Sequence, residues 1–226
     1  MRGLFVTAIG TDCGKTHASC ALLRELKARG DDPLPLKPLM SGFAPGDLVA
    51  SDAGRLLAAC GRPVTEESVS QICWKSFEEP SAPNVAARRA GVDLDYREML
   101  EFVNDRIAAT DHAVLVEGAG GVMSPLTDDC TNLDLMADLD LPVVVLAANY
   151  LGAVSHTLTA LDVLQRRGLR TIGLIVSQPW PHAGPADVFA GELVRWTSIP
   201  ITVAPFARSA EADRAWAPGL AQRCFG

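Results

Sequence analysis

Two patterns of apolar residues alternate along the chain. Short continuous runs, rich in β-branched residues, occur at 3–9, 113–116, 142–146, 171–176 and 201–204, and read as strands buried on both faces. Between them apolar residues recur at helical spacing, as in 16–28 (Ala18, Ala21, Leu22, Leu23, Leu26) and 95–109 (Met99, Leu100, Phe102, Val103, Ile107). Further helices are expected over 51–60, 131–139, 152–167 and 185–196, and a short one over 85–90. Residues 34–38, Leu-Pro-Leu-Lys-Pro, predict a short strand, which Pro35 and Pro38 place at an edge or end abruptly. Residues 40–43 read as the opening of a loop, 71–83 as irregular, and the chain from Arg208 on as a short acidic helix, with no signal at the far end. Strand alternating with helix predicts an α/β fold, a parallel β-sheet with helices on both faces. Neither an internal repeat nor a linker interrupts residues 1–226, so a single domain is expected. Ligands of such sheets bind outside the carboxyl ends of the strands, where the polar residues therefore matter.

The first strand end carries Val6-Thr7-Ala8-Ile9-Gly10-Thr11-Asp12-Cys13-Gly14-Lys15-Thr16. Strand, glycine-containing loop ending in Gly-Lys-Thr, then helix is the phosphate-loop arrangement, and makes the expected fold phosphate-loop NTPase-like. Glycines let backbone N–H groups turn toward phosphate oxygens, and the helix N-terminus favours an anion. Lys15 would reach the outer phosphates and the Thr16 hydroxyl would take a place on Mg²⁺. The usual pattern has glycine six residues before the lysine; here Ile9 stands there. The plain alternative is a strand-to-helix turn that happens to end in Gly-Lys-Thr.

Composition narrows the partners. A net charge of −7 without a block of Lys/Arg argues against nucleic acid. The longest apolar stretch, 141–154, is too short to span a membrane and is broken by Asn149 and Tyr150. With no visible targeting segment, a cytoplasmic location is expected. Six cysteines (Cys13, Cys20, Cys60, Cys73, Cys130, Cys224) lack Cys-x-x-Cys spacing and read as free thiols. His17, His112, His156 and His182 show no ligand spacing; only His156 stands near a strand end.

Three charged residues at element ends suggest chemistry. Glu117 follows a buried apolar run, where an ionised carboxylate needs a cation or a donor; it would hold Mg²⁺ or else cap the glycine turn Gly118-Ala119-Gly120-Gly121. Lys37 would join Lys15 in stabilising a transferring phosphoryl group, or be a surface lysine. Asp52, following Ser51 as N-cap, is explained by helix-dipole complementarity alone.

Lys15-Thr16, Lys37-Pro38 with Ser41-Gly42, Ser51-Asp52-Ala53, Glu79-Pro80 and Val116-Glu117-Gly118-Ala119-Gly120-Gly121 with Pro125-Leu126, in this order, resemble the dethiobiotin synthetase family from Phe5 to about Phe206. The resemblance implies that 7,8-diaminononanoate is carboxylated by CO₂ (or bicarbonate), that ATP phosphorylates the carbamate with Mg²⁺, and that the second amine closes the ureido ring of dethiobiotin. It implies catalytic roles for Lys37, Lys15, Thr11 and Asp12. Nucleotide would be bound by Asp12, Cys13, Gly14, Lys15, Thr16, His17, Glu117, Ser177 and Pro205. Mg²⁺ would be held by Thr16, Asp52 and Glu117. The diamine would meet Thr11, Lys37, Ser41, Gly118 and Gly121, with Leu151 and Gly152 supplied by the neighbouring subunit of a homodimer with shared active sites.

Three positions depart from the family pattern. Ala8-Ile9 replaces a glycine-containing pair, Asp12 stands where many relatives carry a longer acid or another residue, and Ser177 where an adenine-reading Asn is usual, with Gln178 as its candidate substitute. Two other families share the loop. Septum-site and plasmid-partition ATPases carry a second lysine five residues before the loop lysine, where this chain has Gly10. Amide-forming synthetases of the cobyrinic-acid type usually add a glutamine-hydrolysing domain, for which 226 residues leave no room.

Overall fold

The computed structural model describes residues 2–44, 46–179, 183–205 and 210–226. In chain order the elements are β1 (Gly3–Ala8), α1 (Lys15–Ala28), β2 (Leu34–Leu36), β3 (Leu39–Ser41), α2 (Asp52–Ala59), α3 (Glu66–Ile72), β4 (Lys75–Phe77), α4 (Pro83–Arg89), α5 (Tyr96–Ala108) and β5 (Val114–Glu117). They continue with α6 (Asn132–Leu139), β6 (Val143–Ala148), α7 (Ala153–Arg166), β7 (Thr171–Ser177), α8 (Ala186–Leu193), β8 (Ile201–Ala204), α9 (Ala210–Asp213) and α10 (Ala217–Phe225). The main sheet runs β2-β5-β1-β6-β7-β8 with every pairing parallel. The phosphate-loop strand β1 is therefore central, and β2, with Pro35, is an edge strand as its prolines predict.

All six residues of β1 are buried, because the pleat sends alternate side chains into two cores. Phe5 joins Val116, Val143 and Val145, the α5 residues Met99 and Val103, and Leu164 of α7. Leu4, Val6 and Ala8 face the other layer, with Leu22, Leu23 and Leu26 of α1 and Leu220, Ala221 and Phe225 of α10. A continuous apolar strand is what such two-sided burial requires.

The helices expected from periodicity are present with ends shifted by one to three residues, most of them inward, the usual error at frayed termini. Four local expectations need correction. The loop expected at 40–43 begins inside β3, and the irregular stretch 71–83 contains the end of α3 and all of β4; β3 and β4 pair in parallel as a separate two-stranded sheet. Strands of three residues are too short to show a period. The strand expected over 34–38 stops at Leu36, since Lys37 N–H leaves the sheet to donate to the Ile72 carbonyl at 2.9 Å. The far end, without signal in the sequence, forms α10: Ala217, Leu220, Ala221 and Phe225 bury one face, and Pro218 lies in the first turn where its missing N–H costs nothing. The acidic helix expected from Arg208 is α9; Arg208, Phe206 and His182 lie outside the described residues.

Candidate active site

A cavity of about 930 Å³ opens at the carboxyl ends of the strands. Its lining includes Thr11, Asp12, Lys15, Thr16 and His17 of the first loop and helix, Lys37 and Ser41, Asp52 of α2, and Ser177 and Pro205 from the far strands. The loop geometry follows from its residues. Gly14 precedes α1 at φ 85°, a conformation costly for any residue with a Cβ, and Asp12 also has positive φ (57°), which Asp tolerates better than most. No acidic residue occupies the first turn of α1, so its unpaired N–H groups face the cavity without a built-in anion. The Ala8-Ile9 departure leaves the strand exit intact: Ile9 N–H donates to the Leu146 carbonyl at 2.9 Å and the Ala8 carbonyl accepts from Val122 at 3.0 Å.

Beneath α1 four side chains converge. Thr16 Oγ1 lies 2.8 Å from Asp52 Oδ1 and 2.9 Å from Glu117 Oε1. Lys37 Nζ donates to Glu117 Oε1 at 2.8 Å and the Gly118 carbonyl at 3.1 Å, and is 3.0 Å from Asp52 Oδ2. Lys37 is only 3% exposed and Glu117 not at all. Lys37 is thus no surface lysine, and Asp52 does more than complement a helix dipole. Burial works against charge on Lys37, but the Glu117 and Asp52 carboxylates outweigh it and hold its pKa well above the ordinary lysine range. Burial likewise opposes ionisation of Asp52, yet Lys37 keeps its pKa below the usual carboxylate value. Lys15 goes the other way: burial first, and the nearby Lys37 charge second, lower its pKa. Its Nζ reaches only the Gly10 carbonyl, at 3.3 Å.

The cluster fits a divalent cation. One Thr16 hydroxyl proton stands between two carboxylate oxygens, and Glu117 Oε2 is buried without any partner. Two carboxylates against one lysine leave the cluster a unit short of positive charge. Among the described residues no group of three His, Cys, Asp or Glu side chains forms a metal cluster, so a cation here would share its shell with phosphate oxygens and water, as Mg²⁺ does.

The other expected residues divide. Thr11 and Asp12 are exposed on the cavity wall, and Ser41, also lining it, donates its hydroxyl to the Ser81 carbonyl at 2.7 Å. Cys13 is buried under the loop, its thiol pushed up by burial, and its carbonyl accepts from Ser177 Oγ at 2.6 Å. That bond ties the seventh strand to the phosphate loop. Gln178 donates its side-chain amide to the Ala183 carbonyl at 3.3 Å. Gly118 and Gly121 do not line the cavity: a Cβ on Gly118 would meet Asn132 at 2.7 Å, and one on Gly121 the Ala8 carbonyl and the Gly10 backbone at 3.2 Å. Leu151 and Gly152 also lie off the cavity of the single chain, Leu151 fully exposed just before α7. His156 is held by Tyr150, its Nδ1 2.9 Å from the phenol oxygen, and stays outside the cavity as well.

Sequence reasoning missed three contributors. Asn132, buried at the start of α6, donates to the Ala119 carbonyl and, at 2.8 Å, to that of Gly121, and so shapes the glycine turn. Asp213 of α9 accepts from His17, 2.7 Å away, and so joins the short acidic helix near the chain end to α1. Arg55 lines the cavity one helical turn after Asp52; the i, i+3 spacing was the available sign.

Comparison with known proteins adds the following. A family model described as an AAA domain matches residues 2–201. A protein of Phenylobacterium zucineum is 44% identical over 225 residues, covering 98% of this chain and 94% of its own. One of Caulobacter vibrioides is 45% identical over 179 residues, 79% of this chain and 80% of its own. One of Anaeromyxobacter dehalogenans is 40% identical over 225 residues, 99% and 94%. All three bear the name ATP-dependent dethiobiotin synthetase. Among solved structures, the MinC:MinD cell division complex of Aquifex aeolicus superposes with a TM-score of 0.56 at 11% identity, covering 99% of this chain and 94% of the other. Cobyrinic acid a,c-diamide synthase of Mycobacterium smegmatis, with bound ADP and magnesium, gives a TM-score of 0.56 at 15% identity, covering 98% and 93%. These last two show the phosphate-loop NTPase-like fold and no more.

Proposed function

Since the chain belongs to the ATP-dependent dethiobiotin synthetase family, an ATP-using ligase family of biotin biosynthesis, we propose that its single α/β domain forms the ureido ring of dethiobiotin from 7,8-diaminononanoate, CO₂ and ATP. The observation that carries this reading is the largely buried Thr16–Asp52–Glu117–Lys37 cluster beneath the N-terminus of α1.

In the proposed sequence one amine nitrogen bonds to the carbon of CO₂ and loses a proton, giving a carbamate. A carbamate oxygen then attacks the γ-phosphorus as its bond to the bridging oxygen of ADP breaks. The second amine attacks the carbamate carbon, the bond to the phosphorylated oxygen breaks, and phosphate leaves as the ring closes and the nitrogen sheds its proton. No step needs a protein nucleophile; the work is positioning and charge neutralisation. Lys15 and the α1 N–H groups bind the β- and γ-phosphates. Lys37, fixed by two carboxylates and the Gly118 carbonyl, faces the carbamate and the phosphoryl group passing to it. Thr11, Asp12 and Ser41 receive the diamine, and Gly118 to Gly121 shape the wall beside it. Cys13, Gly14, His17, Ser177 and Pro205 enclose the nucleotide. Thr16, Asp52 and Glu117 hold Mg²⁺, which when bound neutralises and orients the outer phosphates.

The off-cavity position of Leu151 and Gly152 supports a homodimer in which the start of α7 completes the diamine site of a second copy, a helix N-terminus suiting the substrate carboxylate. No helix of the described residues is long and apolar enough to cross a membrane, and the six cysteines are free, so we propose the cytoplasm as the site of action.

The test is direct. The protein is incubated with 7,8-diaminononanoate, bicarbonate, Mg²⁺ and ATP, and dethiobiotin and ADP are counted. Equal amounts are expected; ADP without dethiobiotin would mean another acceptor.

A further inference from the structure

We infer that Arg55 recognises the terminal phosphoryl group of bound ATP, a role that rests on the nucleotide site proposed above. Arg55 stands one turn after Asp52 on α2, and both line the cavity with Thr16. Its place against α1 is fixed: the Arg55 carbonyl accepts from the Cys20 thiol at 3.4 Å, one turn beyond Thr16. Arg55 is exposed and lines the cavity, and its guanidinium makes no ion pair or hydrogen bond among the described residues. Its neighbours in sequence order differ, Arg29 being paired with Glu25 and Arg62 with Asp32.

Charge explains why a further cation belongs there. Lys37 already answers two carboxylates, so it brings little net positive charge to a nucleotide. That leaves Lys15 as the other cationic side chain at this end of the cavity. A triphosphate concentrates charge on its outer end, and a planar guanidinium grips phosphate oxygens in pairs, better than a point charge does. Position selects the outer end. Asp52 contacts Thr16 and Lys37, and Lys37 reaches on to Gly118, beside the wall of Ala119, Gly120 and Ser124. The α2 face thus borders the side on which the acceptor would lie, opposite the nucleotide side formed by Ser177 and Pro205.

The experiment compares AMP-PNP with ADP, each with Mg²⁺, by titration calorimetry on the wild-type protein, Arg55→Ala and Arg55→Lys. Arg55→Ala is expected to weaken AMP-PNP binding about tenfold or more while ADP changes less than about threefold, with Arg55→Lys between the two. A structural role would weaken both ligands alike, and that result, or no change in either, overturns the inference. If the wild-type protein binds neither nucleotide, the underlying site assignment fails and takes this inference with it. Melting of each variant is followed alongside, and the exposure of Arg55 predicts no loss of folding.

Discussion

At the phosphate end of the cavity, Glu117 closes a central strand, Lys15 and Asp52 open helices, and Lys37 follows an edge strand, with Lys37 and Glu117 withdrawn from solvent. At the other end, Ser177, Gln178, Pro179, Ala204 and Pro205 form a wall whose side-chain donors already have partners: Ser177 bonds to the Cys13 carbonyl and Gln178 to that of Ala183. The first end offers unmatched charge, the second shape and backbone. Where charge must be handled, the fold fixes side chains deep in its core; at the wall proposed to hold the base, it offers Pro179, Ala204 and Pro205 and leaves little to read an edge. Substrate chemistry should therefore be intolerant of change at one end and forgiving at the other.

The sharpest way to break this contrast is Lys15→Ala, expected to lower kcat/KM for ATP about 10³-fold or more; near-normal turnover would remove the phosphate-loop assignment. Lys37→Ala is next. It should reduce kcat about 10²–10³-fold with a much smaller change in KM for ATP, because its partner develops charge during transfer, and a pure KM effect would contradict that role. It also leaves the fully buried Glu117 carboxylate without its cation, so urea unfolding should show a loss of roughly 3–5 kcal/mol. Glu117→Gln should raise the Mg²⁺ concentration for half-maximal activity at least about tenfold, checked by titrating Mg²⁺ at fixed ATP.

Alkaline pH gives a smaller, two-signed effect. Because the Lys15 pKa is lowered in the folded protein, the unfolded chain binds its proton more tightly. As pH rises toward the ordinary lysine value near 10.4, the Lys15 contribution to stability without nucleotide should grow, while kcat/KM for ATP falls as the free enzyme loses that cation. The smallest change belongs to the far wall: Gln178→Ala should alter the ATP:CTP preference by less than about twofold, since its amide is turned to Ala183.

Much of the charged end was legible beforehand because its residues sit where strands and helices begin and end, and those punctuation points show in apolar periodicity. Lys15, Thr16, Lys37 and Glu117 could be singled out from the strand that precedes each or the helix that follows. Asp52 drew only a dipole explanation from its own surroundings in the sequence, its place on Mg²⁺ coming from the family resemblance, because its meeting with Thr16 spans 36 positions and no local pattern encodes it. Asn132 was invisible for the same reason, its work being done on carbonyls 11 and 13 residues back. In the fold, β3 and β4 escaped because three residues hold no period, and α10 because half of its short buried face is alanine, too little contrast to mark a helix.

The central place of β1 bears on how the chain is made. Its partners are β5, in register from Gly3 with Val114, and β6, from Phe5 with Val143. A growing chain emerging from the ribosome thus exposes its phosphate-loop segment well before β5 and β6, and that strand waits until both have been synthesised before it has sheet neighbours. Closing loops this long delays sheet formation and makes folding slower than local contacts alone would allow. Glu117 joins Thr16 across 101 positions, so competence to bind nucleotide arrives late and all at once. Nucleotide present during refolding should then leave the early collapse rate unchanged and slow only the unfolding of the finished protein.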